Sequence, residues 1–208
     1  MAEVNAAVVK QLREKTGAGV MDCKRALAEC SGQLEQAVVW LREKGIAGAA
    51  KRAGRVASDG TIGAYIHTGG KLGVLLEVNC ETDFVAKTPE FQNLVKELAM
   101  QVAATNPRAV RREEIPPSVI EQERQIYAAQ SAGKPAPVVD KIVEGKLEKF
   151  YREVCLLEQG YMRDPARTVS ELIAEYSATV GEKIEVRRFI RFQLGETASE
   201  GSDGAGTA

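Results

Sequence analysis

A change of hydrophobic period constrains this chain more than any other feature. Up to about residue 50 the apolar residues recur at helical spacing, and from Thr61 they alternate. Ile62, Ala64 and Ile66 alternate with Thr61, Gly63 and Tyr65; Val74, Leu76 and Val78 alternate with Leu75, Glu77 and Asn79. Neighbouring side chains on a strand point to opposite faces, so each run reads as a strand buried on one side. Between them, His67-Thr68-Gly69-Gly70-Lys71 carries glycines that accept positive φ, which predicts a hairpin.

The N-terminal stretch reads as three short helices. Val4, Val8 and Leu12 repeat at helical spacing until Thr16-Gly17-Ala18-Gly19 breaks the pattern. Ala26, Leu27 and Cys30 follow on one side of a second run. Ser31-Gly32 interrupts it, with Ser31 available as an N-cap for a third run carrying Leu34, Ala37, Val38 and Leu41. Helices this short need one another's apolar faces to persist. The basic, small-residue stretch 51–60 (Lys51, Arg52, Arg55) then reads as a linker.

After the hairpin, Thr88-Pro89-Glu90 combines an N-cap, a proline suited to the first helical position and a favourable charge. Phe91, Leu94, Val95, Leu98 and Val102 continue as one apolar stripe, and Asn106-Pro107 stops it. Further helices are expected over about 118–131 and 137–159. Thr168-Val169-Ser170-Glu171 has the capping-box pattern for another, with Gly181 beyond its end. Ile184, Val186, Ile190 and Phe192 alternate as a third strand, interrupted at Arg188-Phe189 by a suspected bulge.

The expected class is α+β: a three-helix module over 1–50, a linker over 51–60, and a domain over 61–195 with a three-stranded, mainly antiparallel sheet and packed helices. The tail 196–208, rich in Gly, Ser, Ala and Thr, reads as disordered.

Composition removes several functions. With 28 basic and 29 acidic residues the net charge is −1, which gives no global grip on nucleic acid. The basic clusters at Lys51-Arg52, Arg111-Arg112 and Arg187-Arg188 lack interleaved aromatics for stacking bases, so no direct nucleic-acid contact is expected and a solvated face or contact rim is favoured. No apolar run approaches the roughly 20 residues that cross a bilayer. Cys23, Cys30, Cys80 and Cys155 are scattered, as suits reduced thiols in a cytoplasm. A single histidine, His67, with dispersed cysteines makes neither a metal site nor a nucleophile pair, and no phosphate-binding glycine loop is present. No cofactor is expected, and the chain does not read as an enzyme. The two rival readings are an RNA-binding accessory protein using the arginines and an enzyme using Cys80 with His67.

Glu81-Thr82-Asp83-Phe84-Val85 stands apart. Alternation has ended and the next helix has not begun, so 79–87 reads as a connector. Phe84 either folds back into the core or stands out beside Asp83 as an anchor for another protein. The residues alone leave both places open.

Thr16-Gly17-Ala18-Gly19-Val20-Met21-Asp22-Cys23-Lys24 and Glu81-Thr82-Asp83-Phe84-Val85-Ala86 resemble signature segments of bacterial elongation factor Ts. Lys141-Ile142-Val143-Glu144-Gly145-Lys146-Leu147 and Val186-Arg187-Arg188-Phe189-Ile190-Arg191-Phe192 are similar to later segments of that family, in the same order over about residues 2–196. The resemblance implies a guanine-nucleotide exchange factor for elongation factor Tu. It implies a ubiquitin-associated-type module that grips the partner through Thr16, Gly17, Ala18, Gly19, Met21, Asp22, Cys23 and Lys24. It further implies that Thr82, Asp83, Phe84 and Val85 enter near the partner's magnesium and phosphates and dislodge the metal. Gly160-Tyr161-Met162 departs from the family pattern. The absence of a long inserted coiled coil is similar to the short forms, which implies a homodimer.

Overall fold

The computed structural model describes residues 5–196. Val4 and the tail beyond Glu196 lie outside them. The chain folds as two compact units. One holds the residues up to Gly60 together with Asn79–Lys87 and Glu171–Glu185; the other holds Thr61–Val78, Thr88–Ser170 and the residues from Val186 on.

The first unit opens with helices α1 (Ala6–Thr16), α2 (Val20–Glu29) and α3 (Leu34–Arg52). Asn5 caps α1 by accepting from the Ala7 amide at 2.9 Å. Gly17, at φ 67°, ends it by donating to the Arg13 carbonyl at 2.8 Å, a left-handed stop that glycine makes without strain. Val9, Leu12, Cys23, Ala26, Leu27 and Ala37 form the core, with Trp40 and Leu41 packed at its edge. Ser31 does not cap α3. It lies at φ 52° beside Gly32 at φ 80°, and Gln33 occupies the cap position with no side-chain bond. The third helix is also longer than expected and runs through Lys51 and Arg52. Its second half lies along α8 (Val169–Val180): Arg42 pairs with Glu171, the buried Gly45 faces Ala178, and Arg52 Nε donates to Ser177 Oγ at 3.2 Å.

In the second unit, β1 (Asp59–Ile66) and β2 (Leu72–Cys80) form the expected hairpin, closed by the His67 amide on the Leu72 carbonyl at 2.8 Å. Gly69 and Gly70 lie at φ 94° and 68° in its turn. A third strand, β5 (Glu185–Gln193), adds beside β2 to give the order β1-β2-β5. The Leu194 amide at its end bonds the Lys71 carbonyl at the start of β2, so the two run antiparallel. Val74, Leu76 and Val78 are buried on one face. Helix α5 (Pro89–Thr105) covers that face, with Phe91, Leu94, Val95, Leu98 and Val102 buried as the stripe predicts. Thr88 caps it by accepting from the Phe91 amide at 3.2 Å, and Asn106 ends it at φ 46°.

The opposite face is open. Ile62, Ile66, Leu75, Ile190 and Phe192 are all exposed. Ile190 and Phe192 were expected to continue the phase of Val186. Instead Arg187 and Arg188 are both exposed, the alternation slips by one residue, and the two apolar side chains turn outward.

Two further differences concern the middle of the chain. Helix α6 (Pro117–Gln130) packs on α7 (Ala136–Val154), but α7 stops before 159 because Cys155 leaves helical geometry and bridges to Ala109. A small two-stranded sheet, β3 (Gly160–Tyr161) with β4 (Asp164–Thr168), follows where no strand was expected. Gln101 holds it: its Nε2 donates to Gln159 Oε1 and the Gly160 carbonyl, and its Oε1 accepts from the Met162 amide at 2.8 Å. A buried side-chain amide with its hydrogen bonds filled is a stable way to pin a strand whose own pairing is short.

Candidate functional site

Residues 79–87 are more than a connector. Asp83–Ala86 forms one helical turn, α4 of the chain order, and Thr82 is its N-cap. The Thr82 hydroxyl accepts from the Val85 amide at 3.4 Å, and the Ala86 amide donates to the Thr82 carbonyl at 3.2 Å. Ala86 is buried under the turn, which leaves the two residues at its tip facing out. Phe84 is 81% exposed, so of its two open places it takes the outward one. A single turn has no stability of its own, because nucleation costs more than one backbone bond returns.

Its orientation comes from the segment after α8. Gly181, at φ 76°, ends that helix, and Glu182 follows. Glu182 Oε2 accepts from the Glu81 and Thr82 amides at 3.1 Å each, and Oε1 accepts from the Thr82 hydroxyl at 2.6 Å. Glu81 reciprocates: its carboxylate accepts from the Lys183 amide at 2.6 Å and from Arg55 at 3.2 Å. The Lys183 amide, first, and the Arg55 guanidinium hold the Glu81 carboxyl below the usual range. Arg55 also reaches the Gly181 carbonyl, and Lys183 Nζ donates to the Arg55 carbonyl at 3.1 Å. Arg55 thus ties into this anchor while its side chain stays half exposed, and the half-buried Arg52 bonds Ser177.

Asp83 bonds Lys87 at 2.6 Å, four residues along the same turn. That hydrogen bond and its charge depress the Asp83 carboxyl and raise Lys87. Cys80 lies beneath the turn, fully buried, and donates to the Thr82 carbonyl at 3.1 Å. Burial pushes its thiol up, the opposite of an activated nucleophile. His67 is exposed and bonds the Tyr65 hydroxyl at 2.9 Å. Among the described residues no three His, Cys, Asp or Glu side chains gather in a metal-holding arrangement. Nor is any described helix long and apolar enough to cross a membrane.

The N-terminal candidates fall on the α1–α2 turn. Thr16 closes α1, its hydroxyl donating to the Leu12 carbonyl at 2.8 Å and accepting from Ala18. Gly17 and Gly19 terminate α1 and cap α2. Met21 is 69% exposed, with Val20, Asp22 and Lys24 also at the surface. Cys23 differs from its neighbours: it is fully buried in the module's core, so it shapes this face without being part of it. The turn and the Thr82–Val85 segment belong to one compact unit, although Thr16 and Thr82 are 66 positions apart in sequence. The residues missed in the sequence are Glu182 and Lys183. Only the glycine ahead of them marks a turn there, and nothing in spacing pairs them with Glu81 and Thr82.

Several arginines of the remaining basic clusters are paired. Arg112 binds Glu148 and Glu158 and lies over the Tyr151 ring at 4.3 Å. Arg188 bonds Glu77 at 2.7 Å, and Arg191 bonds Glu196 at 2.9 Å.

Comparison with known proteins shows the family. A family model described as elongation factor TS matches residues 6–196. The chain is 60% identical to elongation factor Ts of Thermoanaerobacter sp. (strain X514) over 195 residues, 93% of this chain and 96% of that one. It is 55% identical to elongation factor Ts of Desulforamulus reducens over 205 residues, 98% of this chain and 94% of that one. Elongation factor Ts of Geotalea daltonii is 56% identical over 93% of this chain and 90% of its own. With a family match over nearly all described residues and relatives aligned almost end to end, the chain belongs to the elongation factor Ts family of translation elongation factors.

Proposed function

We propose that the protein is a guanine-nucleotide exchange factor that binds elongation factor Tu carrying GDP and speeds GDP release with the Thr82–Val85 turn. The observation that carries the reading is Phe84: a large apolar side chain, 81% exposed, on a turn capped by Thr82 and tied down by Glu182. A monomeric surface gains nothing by holding such a group rigidly in water, whereas a protein interface does.

Exchange needs no acid or base of the factor's own, so the protein is not an enzyme in the chemical sense. It needs tighter binding to the nucleotide-free partner than to the GDP complex; linkage then lowers GDP affinity by the same factor. Burying Phe84 in a partner pocket contributes about 1.5–3 kcal/mol, or roughly tenfold to a hundredfold in affinity. If that pocket opens only as the nucleotide site distorts, the whole contribution becomes coupling. Asp83 places a carboxylate beside it, where it competes for the partner's Mg²⁺ and repels phosphate oxygens. Lys87 is the cation Asp83 exchanges for that metal. The face formed by Val20, Met21 and Lys24 adds affinity without discriminating between nucleotide states.

The working form is a homodimer. The open sheet face supports this: Ile62, Ile66, Leu75, Ile190 and Phe192 present exposed apolar side chains, and Arg188 of β5 pairs with Glu77 of β2. Two copies stacked through this face bury it by a two-fold contact.

The test is release of fluorescent GDP from elongation factor Tu. The chain should accelerate it, and Phe84→Ala should lose about tenfold or more of that acceleration with an unchanged circular dichroism spectrum. A Phe84→Ala protein as active as the parent rules out the wedge.

A further inference from the structure

We infer that Glu182 is the positioning residue of the exchange turn: its carboxylate holds Thr82–Val85 in the partner-ready orientation before the partner arrives. This rests on the reading of that turn as the exchange element.

Three donors converge on the one carboxylate, and all belong to the turn's leading edge: the Glu81 amide, the Thr82 amide and the Thr82 hydroxyl. The hydroxyl simultaneously accepts from the Val85 amide, so Glu182 fixes the rotamer of the very group that caps the turn. The Glu81 carboxylate returns a bond to the Lys183 amide, which makes a reciprocal clasp between two adjacent-residue pairs about a hundred positions apart. The clasp has its own support. Ser177 Oγ donates to the Glu182 carbonyl, and Arg52 Nε donates to that same Ser177 oxygen. Glu182 touches neither Phe84 nor Asp83 in these contacts, so it acts through Thr82.

The chemistry explains the residue type. Two amides and a hydroxyl need several acceptor lone pairs at the end of a reach longer than Asp offers, and an ionised carboxylate makes each bond stronger than a neutral acceptor does. Without it, a turn too short to nucleate alone samples many orientations. Ordering it is then charged to the partner complex, which lowers the fraction of encounters that reach the exchange-competent state.

The experiment measures GDP release from elongation factor Tu against concentration of this protein for the parent, Glu182→Ala, Glu182→Gln, the double variant Asp83→Ala/Phe84→Ala, and that double variant carrying Glu182→Ala. Glu182→Ala should lower the maximal release rate by about tenfold, while the half-saturating concentration, set largely by the Met21 face, changes less than about threefold. Glu182→Gln, which keeps one acceptor oxygen, should recover part of the loss, and it carries the comparison if Glu182→Ala loses its native circular dichroism. In the background lacking Asp83 and Phe84, Glu182→Ala should cost almost nothing more. A merely structural role would cost the same in both backgrounds. Full activity of Glu182→Ala, or an equal loss in both backgrounds, overturns the inference while leaving the exchange turn standing. No acceleration by the parent protein overturns the exchange reading itself, and the inference with it.

Discussion

Helix α5 approaches the sheet so closely at Gly63 that a single methyl group is predicted to break the packing. A Cβ built on Gly63 would lie 2.3 Å from Val95 Cγ1 and 3.7 Å from Val95 Cβ. Carbon atoms in contact need about 3.5–4.0 Å, so Gly63→Ala requires a displacement of more than about 1 Å. Val95 cannot supply it cheaply. It is 2% exposed, and a β-branched residue on a helix has essentially one χ1 rotamer. The strain therefore falls on the helix–sheet spacing. Overpacking of this kind costs about 1–3 kcal/mol, which for a chain of 208 residues means a melting temperature lower by roughly 2–12 °C. The sharper assay is a double-mutant cycle by urea unfolding. Val95→Ala alone leaves a void and destabilises the parent, but in the Gly63→Ala background it removes the clash and recovers much of the loss. A Gly63→Ala protein of parental stability, or a Val95→Ala cost that is equal in both backgrounds, would show that Gly63 and Val95 do not limit the helix–sheet spacing.

The open sheet face and the turn's carboxylates each give a further prediction. Ile66→Lys with Phe192→Lys should convert a two-chain species into single chains by sedimentation equilibrium, with secondary structure retained. A parent that sediments as one chain, or a variant that stays paired, contradicts the proposed dimer. Glu81 and Asp83 both have folded pKa values lowered, by the Lys183 amide and by Lys87 respectively. Each therefore stabilises the fold fully above its unfolded pKa of about 4 and stops doing so as pH falls through the lower folded value. Hydrogen-exchange protection of the Lys183 amide should accordingly be flat from about pH 8 to 5 and fall only below about pH 4. A fall between pH 8 and 6 would point to a different anchor.

Local chemistry made much of the fold legible. Thr88-Pro89 starts α5, Asn106 ends it, and Gly69-Gly70 turns the hairpin because each satisfies backbone groups within a few residues of itself. What stayed hidden depends on partners far along the chain. Helix α7 stops at Val154 although Leu157 continues its apolar period, because Cys155 bridges to Ala109. The β3–β4 pair is too short to show a period and is held by Gln101. Ile190 and Phe192 turn outward through a one-residue slip whose existence, but not its consequence, Arg188-Phe189 suggested. In the site itself, Phe84 stood out as a large apolar group in a connector. The single helical turn that carries it is below the length at which periodicity can be seen. Its anchor, Glu182, is a lone acidic residue whose meaning appears only when the chain has folded.

In the proposed mechanism Phe84 distinguishes partner states rather than simply adding affinity. The direct measurement is calorimetric: the affinity of this protein for nucleotide-free and for GDP-bound elongation factor Tu, with the parent and with Phe84→Ala. The preference for the nucleotide-free form should shrink by about tenfold to a hundredfold in Phe84→Ala, with little change in affinity for the GDP complex. Equal weakening toward both forms, with the preference intact, would contradict it.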